Sequence, residues 1–439
     1  MKTWLKIFLV VLAAMIMVVV GVAWYWLHNP DRYLPKAIAD AEQRTGLQMT
    51  ARHLEIRYFP LRVRLYGLEV KNPKPFPAGD FLKVPLLDAS VEWTPLLSHR
   101  KIVIRSLVLH RPEADFISDP DGLWNFQNPD GPKNQHTRFP TGSIGNFEVQ
   151  NGVLLGSNLI DPSDKPGPVI LDLHNVNGEL KQIQFHPLGR GAPLKAIQGR
   201  LTASNASFGS IRTRDLHSDV RVLPKALVFK NLEAKTYRGK ANGDFRFNFQ
   251  GKKTTFHATM KVTGVGMPYL LAEFENGPPK MTGMLEATLD VGGEIAHSSS
   301  PLGDIYGNGT LTVREGQLPG LNQNPSMKQV QQFRTKDAAG KPPSAFSTFG
   351  ADMELKNQRM YSHRVAVDFY GIDVDVTGSM SLTGGPVSYR GNATIEKKQG
   401  FFTTMFARWF KGAKEKRERL EFPIKLTGTL AHPQFTVVH

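Results

Sequence analysis

The chain of 439 residues contains no cysteine, so it can form neither a disulfide framework nor a thiolate metal site. This absence fits an extracytoplasmic compartment, where free thiols are a hazard. Acidic residues are also few, because 39 Asp and Glu stand against 54 Lys and Arg and leave a formal net charge of +15. A basic surplus indicates anionic partners, either nucleic acid or anionic lipid head groups.

The sequence also lacks the motifs of common catalytic sites. It contains no Gly-x-Ser-x-Gly, no P-loop and no His-Glu-x-x-His, and its 13 histidines include no His-x-x-x-His pair. Asp373 and Asp375 share one face of a predicted strand and could form a metal pair, but their polar surroundings are typical of a solvated face. We therefore predict that the protein is not an enzyme and has no cofactor and no metal site.

Long apolar segments are absent except for one, at residues 7–27. This segment carries no charge, and about 20 apolar residues are what a helix needs to cross a bilayer. A cleaved signal peptide is the alternative, but its apolar core is shorter and ends in small residues. Here the run ends in Trp24, Tyr25 and Trp26, which suit a membrane interface. We predict an uncleaved transmembrane anchor.

The residues on either side of the anchor predict its orientation. Lys2 and Lys6 lie in a short tail at residues 1–6, with no acidic residue to offset them. Positive residues favour the cytoplasmic side. Because no second long apolar segment follows, the expectation is a single-pass inner-membrane protein with residues 28–439 in the periplasm.

From residue 48 onward the hydrophobic pattern has period two, which is typical of strands with one apolar face. Phe245, Phe247 and Phe249, for example, alternate with Arg246 and Asn248. Short connections require antiparallel pairing, so the pattern predicts a mainly β chain with on the order of 25 antiparallel strands. Gly or Asn residues are predicted to form the turns between them, at Asn242-Gly243, Gly251, Gly292-Gly293, Gly378 and Gly384-Gly385.

Three segments are predicted to be short helices rather than strands. Residues 33–44 have helical spacing and end before Gly46, and residues 326–334 form a second candidate. Residues 401–420 form an amphipathic basic pattern that either lies on an anionic membrane or caps the sheet with its charges in water. The membrane-surface candidates in it are Phe406, Trp409, Phe410, Lys411, Lys414, Lys416 and Arg417.

A series of short motifs marks the first part of the chain. In order they are Asn29-Pro30, a helix ending at Thr45-Gly46, Tyr58-Phe59-Pro60, Asn72-Pro73, Trp93, an Ile-x-x-Leu-x-Leu-x-x-Pro run from Ile104 to Pro112, and Gly122-Leu123-Trp124-Asn125. Behind an apolar anchor, this order resembles the N-terminal region of the AsmA family of bacterial envelope proteins. Gly428-Thr429 with Pro433 resembles the Gly-Thr-x-x-x-Pro close of that family.

The resemblance implies a fold and a function. The AsmA family is similar to the repeating β-groove proteins, in which an extended sheet curls into a trough lined by apolar side chains. It implies an N-terminal AsmA-like module at 28–135, a central β-groove at 136–300 and a C-terminal β module at 301–439. The implied function is to hold or move phospholipid acyl chains across the periplasm and so to contribute to outer-membrane lipid homeostasis. The implied partners are phospholipids, the inner membrane and other envelope proteins. Nucleic acid is not expected, because the basic residues are dispersed over strand faces without interleaved aromatic residues.

The groove candidates are the apolar members of the alternating runs. They are Phe245, Phe247, Phe249, Phe256, Met260, Leu285, Leu289, Val365, Val367, Phe369, Val374 and Ile424. Burial of apolar surface contributes roughly 25 cal/mol per Å², so a trough of this kind needs no specific site to hold acyl chains. Two other functions stay open: an anchored scaffold that assists outer-membrane protein assembly, and a hydrolase of envelope polymers that lacks any catalytic motif. Alternation alone does not distinguish a packed core from a trough.

Overall fold

The computed structural model describes most of the chain after the predicted anchor. The described residues are 31, 34–92, 94–95, 102–119, 124–125, 142–158, 169–185, 197–223, 226–250, 253–273, 280–295, 305–322, 333–381, 385–396, 414–416, 419–428 and 433–437. The predicted anchor at 7–27 lies outside them, as does most of the predicted helix at 326–334. Within these ranges, no helix is long and apolar enough to cross a membrane.

The prediction of a mainly β fold is confirmed, because the described residues form 22 strands and few helices. The helices are α1 (Leu34–Thr45) and α2 (Met267–Leu271), with 3-10 turns at Pro319–Leu321 and Lys336–Ala338. The strands are β1 (Met49–Thr50), β2 (His53–Tyr58), β3 (Leu61–Lys71), β4 (Asp80–Val91), β5 (Ile102–His110), β6 (Glu113–Ser118), β7 (Gly142–Asn158), β8 (Val169–Phe185), β9 (Ile197–Phe208), β10 (Ile211–Leu223), β11 (Ala226–Thr236), β12 (Gly239–Gln250), β13 (Lys253–Gly266), β14 (Met284–Ile295), β15 (Tyr306–Gln317), β16 (Ala345–Lys356), β17 (Arg359–Asp368), β18 (Ile372–Ser381), β19 (Val387–Glu396), β20 (Lys414–Lys416), β21 (Arg419–Gly428) and β22 (Pro433–Val437).

The chain divides into two compact units. Unit 1 comprises residues 1–234, 244–256 and 294–301, and unit 2 comprises 235–243, 257–293 and 302–439. The domain boundaries predicted at 135 and 300 stay predictions. Each unit has its own hydrophobic core.

Unit 1 begins with the predicted helix, which the structure confirms as α1. Gly46 adopts φ +70° and donates its N–H to the carbonyl of Glu42 at 2.7 Å, which is the left-handed stop that glycine allows without strain. Leu34, Ile38 and Ala41 lie on one side of α1 and belong to the same buried core as strands β1 to β5. The helix thus covers the apolar face of the first strands.

The sheet of unit 1 is mixed rather than wholly antiparallel, which corrects the predicted pairing. β5 and β6 run parallel to β7, whereas β3–β4, β4–β5, β7–β8, β8–β9 and β9–β10 are antiparallel. The connection from 119 to 141 is longer than the dozen or so residues that a parallel return requires. The prediction assumed short connections everywhere, and this one is long.

Left-handed residues lie side by side on neighbouring strands of unit 1. Arg111 between β5 and β6 has φ +50°, Asn151 in β7 has φ +54° and Asn175 in β8 has φ +51°. Arg111 donates its N–H to the carbonyl of Gln150 at 2.7 Å, and the Asn177 carboxamide accepts from the N–H of Asn151 at 3.0 Å. An extra residue of this kind bends a strand and increases its twist. Aligned at the junction of β5 and β6 and on β7 and β8, these residues form a crease across the sheet.

Unit 2 is a run of antiparallel strands. β14 to β19 pair in sequence order, β19 pairs with β21, and β21 pairs with β20 and β22. Phe346 and Phe422 are almost fully buried in its core.

The prediction of a basic helix at 401–420 is wrong for the residues from 414 onward. Lys414–Lys416 and Arg419–Gly428 are paired strands, because the alternating apolar residues of 420–426 continue the sheet. Residues 401–413 lie outside the described residues.

Several predicted glycine turns are wrong. Gly243, Gly292 and Gly378 lie inside β12, β14 and β18. A Cβ at Gly378 would lie 2.1 Å from the carbonyl oxygen of Ser388 on β19, so glycine is needed there for close approach of the strands. Gly385 falls between β18 and β19, as predicted, whereas Gly251 and Gly384 lie outside the described residues.

Candidate functional site

Unit 1 contains an apolar cavity of about 400 Å³. This volume is within the range of about 300–1,000 Å³ that is usual for small-molecule sites. Its wall follows the strands from β4 to β11 and the part of β12 that follows Gly243, and the lining is almost wholly hydrocarbon. The aromatic members of the wall are Phe81, Phe116, Trp124, Phe147, Phe208, Phe229, Phe247 and Phe249.

The crease brings both halves of the long strands to the same wall. In β7, Phe147 and Val149 line the cavity before Asn151, and Leu154 lines it afterwards. These large lining residues of β7 therefore have odd numbers before the left-handed residue and an even number after it. The leucines of β8 show the same switch, with Leu171 and Leu173 before Asn175 and Leu180 after it. One extra residue shifts the alternation and keeps the apolar face continuous.

Cross-strand contacts carry the wall from β10 to β12. The Ser218 hydroxyl of β10 donates to the carbonyl of Lys230 on β11 at 3.0 Å. On the next strand, the Asp244 carboxylate of β12 accepts from the N–H of Asn231 at 3.1 Å and also binds Lys230. The Lys230 ammonium lowers the pKa of Asp244. These polar contacts hold together the strands that carry Phe229 and Phe247.

Four predicted groove residues lie close together here. Phe247 lies 6.3 Å from Phe229 and 6.4 Å from Phe249, measured between ring centroids. Phe245 stacks on Phe256 at 5.8 Å, and both contact Phe208 at 6.2 Å. Phe247 and Phe249 line the cavity directly. Arg246, which lies between Phe245 and Phe247 in sequence, is exposed and donates to Asn248, so the two faces of this strand differ as the alternation predicted.

Trp124 connects distant parts of the cavity wall. Its indole N–H donates to the hydroxyl of Thr254 at 3.0 Å, although the two residues are 130 positions apart. Trp124 also lines the cavity, and Thr254 is buried at the start of β13. The sheet of unit 1 therefore curls far enough for β13 to meet the residue that follows β6.

Asn125 fixes the position of Trp124. Its side chain is fully buried, accepts from the N–H of Ile117 at 3.1 Å, and donates to the carbonyl of Asp115 at 2.6 Å and to the Asn72 carboxamide at 2.9 Å. Burial raises the pKa of the Asp115 carboxyl beside this network. In the Trp-Asn pair of the N-terminal motif, Trp124 thus lines the cavity and Asn125 holds Trp124 in position.

The remaining predicted groove residues belong to unit 2. Leu285, Val365, Val367, Phe369 and Ile424 are buried in its packed core, and Val374 is half-buried against the same core. Met260 and Leu289 are half-buried beside Gly243 and Gly309 respectively. Among the membrane-surface candidates, Lys414 and Lys416 lie in β20, while Phe406, Trp409, Phe410, Lys411 and Arg417 lie outside the described residues.

Sequence reasoning missed much of the wall of the cavity. Phe116, Phe147 and Phe208 were not among the candidates, and neither was Trp124, although its motif had been noted. Alternation could have found Phe147 with Val149, but the run is short before the parity changes at Asn151. Within the described ranges, no cluster of three or more His, Asp or Glu is arranged to hold a metal ion.

Fold and site together define a mainly β protein with an apolar cavity inside a curled sheet. The family model described as the AsmA family matches residues 1–143, which confirms the resemblance seen in the N-terminal motifs. The matched segment contains α1, β1 to β6 and the Trp124-Asn125 pair. A comparison with curated proteins finds no match.

Proposed function

We propose that unit 1 binds phospholipid acyl chains in its cavity, and that the protein holds or transfers phospholipid in the bacterial envelope. The observation that carries this proposal is a cavity of about 400 Å³ with almost no polar lining. A polar ligand would lose its hydration there without gaining hydrogen bonds, whereas each buried methylene contributes about 0.8 kcal/mol. Hydrocarbon is therefore the chemistry that this site fits, and a phosphate head group stays outside in water.

The match to the AsmA family supports an envelope role, and the predicted anchor supports a place at the inner membrane. A lipid carrier tethered to one bilayer can take up acyl chains without releasing them into water. We therefore propose a single-pass inner-membrane protein with its cytoplasmic end at Met1 and the bulk of the chain in the periplasm. The absence of cysteine agrees with that compartment.

Photo-crosslinking tests the lipid proposal directly. A photo-crosslinker in place of Phe247 is expected to capture phospholipid in cells, because this residue lines the cavity. The same probe in place of Arg246 is the matched control and is expected to capture none, because that side chain is exposed on the other face. Mass spectrometry of the adducts identifies the lipid. Equal capture at the two positions, or no lipid at Phe247, would contradict the proposal.

The topology has its own test. The purified protein is expected to keep its N-terminus, and a reporter fused after His439 is expected to be active only in the periplasm. A mature chain that begins near residue 28 would disprove the anchor, and a cytoplasmic signal from the reporter would disprove the orientation.

Unit 2 supports the alternative function as a scaffold for outer-membrane protein assembly. Its predicted groove residues, such as Val365 and Ile424, are buried among one another in a hydrophobic core. Side chains that pack on one another in this way stabilise the fold, so this unit fits a structural role. Absence of lipid at Phe247 together with an intact fold would favour this function for the whole chain.

A further inference from the structure

The tip of the hairpin between β2 and β3 exposes an aromatic side chain. Phe59 and Pro60 form the two-residue connection, and Phe59 is 93% exposed. The other exposed large hydrophobic residues among the described ones lie between 38% and 57%. Leu61, directly after the turn, is buried, so the apolar surface at Phe59 belongs to the tip alone. A phenylalanine held in water at the end of a hairpin gains from contact with an apolar phase.

Two arginines flank this tip. Arg57 and Arg62 are cross-strand partners in the β2–β3 ladder, and both side chains are exposed. Each has one carboxylate contact, to Glu55 at 2.8 Å and to Asp88 at 3.0 Å. The Arg57–Glu55 pair is largely exposed and therefore weak, whereas Asp88 is nearly buried. A guanidinium has five N–H donors, so both exposed arginines keep donors for phosphate groups. An aromatic residue between two arginines matches the interface of an anionic bilayer, where acyl chains lie beneath phosphates.

The chain length between the anchor and the hairpin brings the tip within reach of that bilayer. Asp31 accepts from the N–H of Leu54 at 2.9 Å and contacts the imidazole of His53, which fixes it at the start of β2. The predicted anchor ends four residues earlier, at Leu27, a span of at most ~14 Å. From Leu54 to Phe59 the strand extends by ~17 Å. The tip therefore lies within about 35 Å of the end of the anchor.

We propose that the β2–β3 hairpin docks on the membrane surface, with Phe59 inserted at the interface and Arg57 and Arg62 on anionic head groups. The proposal rests on the anchor and lipid binding proposed above, and it adds the contact at which the protein meets the bilayer. Exposure of the tip, its charge and its distance from the anchor all point to this one partner.

Lipid quenching in a reconstituted system tests the proposal. Since the chain has no cysteine, Phe59→Cys carries a single environment-sensitive fluorophore on the full-length protein. In vesicles of phosphatidylcholine and phosphatidylglycerol, brominated acyl chains are expected to reduce its fluorescence by about half or more. Ser210→Cys is the matched control, because it lies in the β9–β10 turn at the opposite end of the unit 1 strands. Its fluorophore is expected to keep its intensity.

The arginines and the aromatic residue are tested separately. Arg57→Gln with Arg62→Gln is expected to reduce quenching at residue 59 in vesicles with phosphatidylglycerol, and added salt is expected to do the same. Phe59→Ser is expected to slow lipid exchange with vesicles about tenfold, because it removes the aromatic side chain that inserts into the membrane. It is expected to leave capture by the probe at Phe247 in detergent unchanged.

These outcomes separate the docking proposal from the proposed function. No quenching at residue 59 in vesicles that contain only lipid and this protein would overturn docking. Equal quenching at residue 210 would overturn it as well. Loss of lipid capture at Phe247 with normal quenching at residue 59 would instead contradict the proposal that the cavity binds lipid.

Discussion

Phe247→Asp is expected to lower acyl-chain capture by unit 1 at least about tenfold while the protein stays folded. Phe247 is half-buried on the cavity wall, with the ring of Phe245 at 4.6 Å and that of Phe229 at 6.3 Å. A carboxylate there holds water in the cavity, and an acyl chain that displaces the water leaves the charge unpaired. Burial of an unpaired charge costs several kcal/mol, more than the contacts of one acyl segment return.

Two control variants separate loss of binding from loss of folding. Arg246→Asn changes the exposed face of the same strand and is expected to bind lipid like the parent. Phe346→Asp places the same charge in the closed core of unit 2, where Phe346 has no exposed surface, and is expected to unfold that unit. If the Phe247→Asp variant is folded and captures as much lipid as the parent, Phe247 does not line a lipid-binding cavity. Unfolding of that variant would indicate that this face is a packed core.

The second large effect is expected at Asn125, where Asn125→Leu should lower the free energy of unfolding of unit 1 by about 3 kcal/mol or more. The substitution removes three hydrogen bonds of a fully buried side chain. It leaves the N–H of Ile117 and the carbonyl of Asp115 without these partners, and each buried orphan costs about 1–3 kcal/mol. Denaturant unfolding measures the loss, and hydrogen exchange at β6 and β7 locates it.

Asn125→Asp tests the two donors of this side chain. An ionised aspartate keeps the acceptor for the Ile117 N–H but turns a carboxylate oxygen towards the oxygens of Asp115 and Asn72, so its effect is expected to be at least as large as that of Asn125→Leu. Asn72→Ala removes the bonds to Asn125 and to the carbonyl of Pro77 at the edge of the network and is expected to cost less. A leucine variant as stable as the parent would show that Asn125 does not anchor Trp124.

The elements predicted well are those whose signals are local. Helix α1 was found because its apolar spacing and Gly46 lie within a dozen or so residues, and the strand that carries Phe247 was found because its alternation is unbroken. Two of the predicted groove residues, Phe247 and Phe249, line the cavity for the same reason. A regular local pattern was sufficient in each case.

The elements predicted poorly depend on partners that are distant in sequence. Parallel pairing of β7 with β5 and β6 follows from a long connection whose path no local pattern reveals. Asn151 and Asn175 belong to a residue type that favours turns, yet they lie within strands and shift the side-chain alternation by one. Leu285 and Val365 have the same alternation as Phe247 but are buried in the hydrophobic core of unit 2, because period two reports an apolar face and not what covers it.

The contact between Trp124 and Thr254 has a consequence for how unit 1 folds. Because synthesis runs from the N-terminus, β4 to β9 emerge from the ribosome well before Thr254 arrives to complete the wall. Until then the apolar faces of these strands have no partner beyond the part that α1 covers. Contacts between residues this far apart form slowly, and unpaired apolar strands aggregate in the interval. During synthesis, the strands of the future cavity thus pass through a stage in which their apolar surface is exposed to water. The shorter the time until the next hundred or so residues follow, the smaller is the risk that these strands aggregate.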